Sequence, residues 1–88
     1  MNKGWVYILS TKNLSFYIGS TLDLNKRIEE HKRGLVRATK NLRPFNLAFC
    51  QEYPTIKEAR KIEYKLKRLK RRDYIEAIVR DRVIKMTI

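Results

Sequence analysis

Apolar and polar positions alternate along this chain in patterns that predict its elements. Trp5-Val6-Tyr7-Ile8-Leu9 and Phe16-Tyr17-Ile18 are dense runs of β-forming residues, separated by a short polar segment at residues 10–15. Two such runs across a short loop predict a β-hairpin. Ser20 and Thr21 close the second strand, and Asp23 stands where a helix N-cap is needed. The following helix is expected over residues 24–33, with Gly34 as its stop signal. At 3.6 residues per turn, Leu24, Ile28 and His31 share one face, with Arg27 at its border. A His and an Arg four positions apart thus lie along an apolar stripe.

Residues 36–44 are basic and lack a period, so an irregular connection is expected there. Residues 45–52 read as a third strand, ended by Tyr53-Pro54, because proline cannot donate to a ladder. Thr55 and Glu58 form a capping box that opens a second helix. Its apolar stripe is Ile56, Ala59, Ile62, Leu66 and Leu69, with Glu63 at the edge and lysines and arginines over the rest. Asp73 and Glu76 repeat the box-like pattern, opening a last helix with Ile75, Val79, Val83 and Met86 on one side. No repeat, low-complexity tract or linker interrupts the pattern. The order is β-β-α-β-α-α. The first two strands have no helical crossover between them, which predicts an antiparallel sheet with helices on at least one face, an α+β fold.

The length, 88 residues, fits one domain spanning residues 1–88 with a single modest core. Charge sharpens the functional reading. Lys and Arg number 21 against nine Asp and Glu, a formal charge of +12. Nucleic acid phosphates relieve such a charge through counterion release, and rank first among partners. A protein that is merely basic ranks second, and an anionic membrane surface third. Cys50 is the single cysteine. It excludes an intrachain disulfide and a thiolate zinc site, and its apolar surroundings predict a packing role. The apolar stretch near Met1 is too short to span a membrane, and a cytoplasmic location is the expectation.

Val6-Tyr7-Ile8, followed ten positions later by Tyr17-Ile18-Gly19, resembles the paired motif that names the GIY-YIG nuclease family. The first half departs from the literal Gly-Ile-Tyr, and the second half is literal. The likeness continues through Ser20-Thr21-Leu22-Asp23-Leu24 to Arg27 and His31, and to Glu63 on the later helix. It covers essentially the whole chain and is closest to small stand-alone bacterial members. The resemblance implies a three-stranded antiparallel sheet flanked by helices. It also implies metal-dependent hydrolysis of DNA, with Tyr7, Tyr17, Arg27, His31 and Glu63 as catalytic residues and Glu63 as ligand of one Mg²⁺ or Mn²⁺ ion.

The chemistry asks for these residue types. Negative charge gathers on the non-bridging oxygens of a phosphodiester transition state, and a guanidinium such as Arg27 answers it with a fixed fork of donors. One carboxylate suffices for Mg²⁺, which keeps several waters. Tyr7 and Tyr17 can hold, orient or deprotonate the attacking water, and His31 can move a proton near neutral pH. Gly19 is small where a backbone or phosphate comes close.

Each role has a structural rival. The tyrosines are favoured strand residues, and Arg27 can cover apolar atoms with its stem. His31 can serve the core through hydrogen bonds, and Glu63 can pair with Lys67 one turn on. Gly19 can be only a bend. Arg37, Lys40 and Arg43 in the basic connection, with Lys67 and Lys70 on the second helix, are candidates for the nucleic-acid backbone, against the reading of a solvated face.

Three functions stay open at this stage. The first is a metal-dependent endonuclease acting on DNA, on branched, nicked or damaged forms, with a partner protein as one source of specificity. The second is a non-catalytic DNA- or RNA-binding module of the same fold. The third is a basic protein-interaction domain.

Overall fold

The computed structural model describes residues 3–11 and 15–85. Its elements follow the predicted order: β1 (Gly4–Thr11), β2 (Phe16–Thr21), α1 (Leu24–Lys32), β3 (Phe45–Tyr53), α2 (Ile56–Leu69) and α3 (Arg72–Asp81). The three strands form an antiparallel sheet in the order β2-β1-β3. Of the predicted hairpin loop, residues 12–14 lie outside the described residues, as does Met86.

Alternation along the strands sorts the sheet into two faces. Val6, Ile8 and Ile18 point into a core completed by Ala59, Ile62 and Leu66 of α2 and by Ile75 and Ile78 of α3. Val6, Ile8 and Ile62 are fully buried, and each such side chain contributes about 1.5–3 kcal/mol of hydrophobic stabilisation. Tyr7 and Tyr17 point to the opposite face, where their rings meet His31 of α1. The sheet is therefore the middle of three layers. α2 can sit close because β1 begins with glycine: a Cβ on Gly4 would lie 2.5 Å from the Ile56 Cα.

The caps read from the sequence hold at two helices. The Asp23 side chain accepts from the Lys26 N–H at 3.1 Å, and Thr55 accepts from the Glu58 N–H at 3.2 Å. Gly34 follows α1 with φ 77°, the left-handed conformation of a C-terminal stop.

Four expectations are corrected. The helix α3 starts two residues earlier than a cap at Asp73 would place it. Arg71 is the N-cap, and Asp73 lies in the first turn, paired with Arg71 at 2.7 Å. Leu69 is 39% exposed, because the α2 stripe leaves the core at its last turn. Val83 is not on a helical stripe. α3 ends at Asp81, the chain turns at Arg82 with φ 60°, and Ile84 is buried instead. The Ile84 N–H donates to Gln51 Oε1 at 3.0 Å, fastening this return to β3. Finally, the basic connection is not wholly irregular: Lys40–Leu42 form a 3-10 turn, and Val36 and Thr39 are buried.

Among the described residues, no helix is long and apolar enough to cross a membrane.

Candidate active site

The site begins with strand register. Tyr7 of β1 stands opposite Gly19 of β2, and Leu9 opposite Tyr17. Because Gly19 has no side chain, the Tyr7 ring lies across it. A Cβ on Gly19 would meet the Tyr7 hydroxyl and sit 2.5 Å from its Cζ. The close approach expected at Gly19 is thus made by the Tyr7 phenol.

The Tyr7 ring is 1% exposed, so its hydroxyl needs a partner. His31 provides one: Tyr7 Oη and His31 Nε2 are 2.8 Å apart. α1 carries His31 down onto the sheet with no exposed surface. Its other ring nitrogen, Nδ1, is 2.6 Å from Thr39 Oγ1, and the Thr39 hydroxyl is 3.5 Å from the Val36 carbonyl. One assignment satisfies all these groups. The hydroxyl of Thr39 donates to the carbonyl, its oxygen accepts from Nδ1–H, and the bare Nε2 accepts from the Tyr7 O–H.

The electrostatics agree with neutral partners. Burial pushes the Tyr7 phenol up to about 12, against the pull of the neighbouring Arg27 charge. Burial also lowers His31 below its ordinary 6.5, with Arg27 adding to the effect. Arg27 is held charged chiefly by the nearby Tyr7 hydroxyl and by Glu30, whose Oε1 lies 3.1 Å from its Nη1. With its side chain 38% exposed, the guanidinium keeps a face toward solvent. Tyr17 packs its ring 5.3 Å from His31 and 6.3 Å from Tyr7, centroid to centroid, and stays half-buried. Phe45 closes the wall 5.8 Å from His31.

Glu63 approaches from α2, on the side of β2 to which Ser20 turns. Ser20 donates a hydrogen bond to its Oε1. Lys67 Nζ lies 2.6 Å from its Oε2 and 5.8 Å from the centroid of the Tyr17 ring. The carboxylate also contributes to raising the Tyr7 phenol. The predicted pairing of Glu63 with Lys67 is therefore present, and it sits beside the tyrosines. Tyr7, Tyr17, Arg27 and His31 thus pack together, and Glu63 is linked to them through Lys67 and through its charge. A cavity of about 330 Å³ opens next to them, lined by Ser20, Asp23, Lys26, Arg27 and Arg60.

Two site residues escaped the sequence reading. Ser20 appeared as a strand end and within the stretch carrying the likeness, with no role of its own, although its place two residues after Ile18 turns it toward α2. Thr39 lies in a stretch without period, and no local pattern marks it.

The predicted nucleic-acid contacts distribute unevenly. Lys40 and Arg43 line a cavity of about 630 Å³ with Lys32 and Phe45. Arg43 is pinned there, Nε donating to the Lys40 carbonyl at 2.9 Å and Nη1 to the Lys32 carbonyl at 3.2 Å. Arg37 is exposed. Lys67 is committed to Glu63, and Lys70 projects from the turn between α2 and α3.

The donor set defines which ion the site suits. Among the described residues no group of three or more His, Cys, Asp or Glu side chains could hold a metal. A single carboxylate with a neighbouring hydroxyl offers hard oxygen donors and suits an ion that keeps most of its waters, as Mg²⁺ does.

Comparison with known proteins points to one family. A family model described as the GIY-YIG catalytic domain matches residues 3–75. The chain is 38% identical over 79 residues to the UPF0213 protein YazA of Bacillus subtilis, covering 85% of this chain and 80% of the relative. It is 37% identical over 79 residues to a UPF0213 protein of Staphylococcus aureus strain Mu3, covering 89% and 96%. The solution NMR structure of the UPF0213 protein BH0048 from Bacillus halodurans superposes with a TM-score of 0.56 at 35% identity, covering 86% of this chain and 82% of that one.

Proposed function

The chain belongs to the GIY-YIG catalytic-domain family, a nuclease type, and from that premise we propose that it is a metal-dependent endonuclease hydrolysing DNA phosphodiester bonds. The observation that carries this reading is the packing of Tyr7, Tyr17, Arg27 and His31 against one another, with Glu63 linked to them through Lys67 beside the Tyr17 ring. The net charge of +12 supports a polyanionic substrate.

The residues divide the work. Arg27 offers its solvent-facing N–H groups to the non-bridging oxygens, where charge grows in the transition state. Tyr7 is protonated at neutral pH, and its hydroxyl donates to His31 Nε2. When a water binds to the Tyr7 oxygen, it can pass a proton to that oxygen as the Tyr7 proton moves to Nε2. One proton enters and one leaves the phenol. His31 can accept because burial keeps it neutral, and Thr39 fixes which nitrogen is bare. Tyr17 walls the pocket and orients the phosphate side.

Glu63, with Ser20 on one oxygen, would hold one Mg²⁺ or Mn²⁺ ion, which supplies Lewis-acid stabilisation of phosphate oxygens. Lys67 on the other oxygen competes for that carboxylate and offers a cation to the substrate once released.

The test is cleavage of plasmid and branched DNA with Mn²⁺ by the wild-type protein, Glu63→Gln and Tyr17→Phe. Loss of cutting in Glu63→Gln is expected. Equal cutting by all three proteins would sink the reading, since it would mark a contaminant.

A further inference from the structure

Beyond the site, at the β2 edge of the sheet on its α2–α3 side, lies a second groove. It encloses about 350 Å³ between the start of β2 and the junction of α2 with α3, a volume within the range of small-ligand clefts, about 300–1,000 Å³. Its floor is apolar: Phe16, Ile18, Leu66 and Ile75. Its rim is cationic: Lys67, Lys70, Arg71 and Arg72. Tyr17 borders both the groove and the candidate active site.

Two details bear on what the groove receives. The Arg72 guanidinium lies 4.9 Å from the centroid of the Phe16 ring, so a planar cation and an aromatic ring are already stacked at its wall. Lys70 holds φ 50° and ψ 36°, a left-handed conformation where glycine is the least costly residue. A lysine at that position places a cation on the rim at a conformational cost.

A surface that reads only duplex backbone needs cations and has no use for an apolar hollow, because paired bases keep their faces stacked on each other. An apolar floor beside an aromatic ring, fenced by cations, matches a strand whose bases are unstacked: phosphates on the rim, a base face below. We propose that this groove receives an unpaired nucleobase next to the scissile phosphate, so that the preferred substrate is single-stranded at the cut. The proposal rests on nucleic acid being the substrate.

The test measures binding with EDTA in place of divalent ions, so that nothing is cut. A labelled oligothymidylate is compared with the same oligomer carrying abasic sites, with the paired duplex, and with oligouridylate. Wild-type protein is expected to bind the base-bearing strand about tenfold more tightly than its abasic counterpart, within the range of base–aromatic stacking. Phe16→Ala should erase most of that ratio. Lys70→Gly should weaken both strands by a similar factor without lowering the melting temperature, which guards against a Phe16→Ala variant that fails to fold. Tighter binding of either single strand supports the groove, and the tighter sugar names DNA or RNA. Equal affinity of wild type for base-bearing and abasic strands overturns it, as does a duplex bound as tightly as the single strand. Base discrimination in a protein that cuts nothing would refute hydrolysis and still support the groove, whereas no binding to any nucleic acid would overturn both.

Discussion

Tyr7 Oη and His31 Nε2 stand 2.8 Å apart in a contact closed to solvent, although 24 positions separate them in the chain. Neither group is charged there. The phenol is pushed up to about 12 and the imidazole is lowered, both by burial first. A neutral donor meeting a neutral acceptor is stable at rest, and it becomes reactive only when a substrate water or phosphate brings charge to the phenol oxygen.

Tyr7→Phe removes the donor and leaves Nε2 buried without a partner. A loss of about 1–3 kcal/mol in stability is expected from the orphaned nitrogen, together with a cleavage rate lower by about 10²–10⁴. Tyr17→Phe should cost less stability, because the Tyr17 ring is only half-buried. Thermal melts and initial rates of the two variants, side by side, check both statements.

The same pair predicts two pH limits. His31 is lowered in the fold, so below about 6.5 the unfolded chain binds more protons than the native one. Its stability contribution is complete above that value and is lost as pH falls toward the lowered folded pKa. Tyr7 is raised from 10.0 to about 12, so its contribution is complete below pH 10 and is lost as pH climbs through that interval. Melting temperature against pH should show an acid and an alkaline shoulder, and Tyr7→Phe should weaken the alkaline one, to which Tyr53 and Cys50, also raised by burial, still contribute. An unchanged alkaline limb in that variant would count against the buried phenol.

Much of this arrangement was legible from pattern. The hairpin, the caps at Asp23 and Thr55, and the placing of His31 and Arg27 on one helix stripe all follow from local rules that the fold obeys. Glu63 was legible from the family resemblance, and from pattern alone as a residue at the edge of an apolar stripe. That edge position is what lets it meet Ser20 of β2 while holding Lys67 beside the Tyr17 ring. Gly19 was legible as a close approach, but which group approaches depends on strand register, and register placed the Tyr7 ring there. Thr39 was not legible at all. Its role arises from a connection folding back onto α1, and a tertiary contact of that kind leaves no periodic trace. The cap of α3 misled for a related reason: Asp73 looked like an N-cap, yet its carboxylate pairs with Arg71 inside the first turn.

Thr39 tests whether His31 is oriented or merely buried. Thr39→Val keeps the shape but leaves Nδ1–H without an acceptor, or frees the ring to move its proton to Nε2 and refuse the Tyr7 donor. Cleavage should fall at least about tenfold, the factor that about 1.4 kcal/mol of lost orientation makes, and Thr39→Ser should restore it. His31 is the chain's single histidine, so its ring nitrogen NMR signals are unambiguous. They should report Nδ1–H in the wild type and in Thr39→Ser. A Thr39→Val protein with unchanged tautomer and unchanged rate would remove Thr39 from the account.

Gly19→Ala separates the two explanations for this glycine. If Gly19 is only a bend, alanine costs little, because its φ is not in the left-handed region: Gly34 is the one glycine among the described residues with positive φ. If Gly19 is the floor on which Tyr7 lies, the new Cβ falls 2.5 Å from Cζ and on the hydroxyl itself. The ring is 1% exposed and packed against His31 and Tyr17, so it has no open direction in which to yield. Overpacking of this kind costs about 1–3 kcal/mol. The displaced phenol also loses its 2.8 Å contact with Nε2, so activity should fall together with stability. Larger residues should be worse in both respects. A Gly19→Ala protein that melts and cuts like wild type would show that Tyr7 can move freely, and the relay through His31 would then lack the rigid geometry it requires.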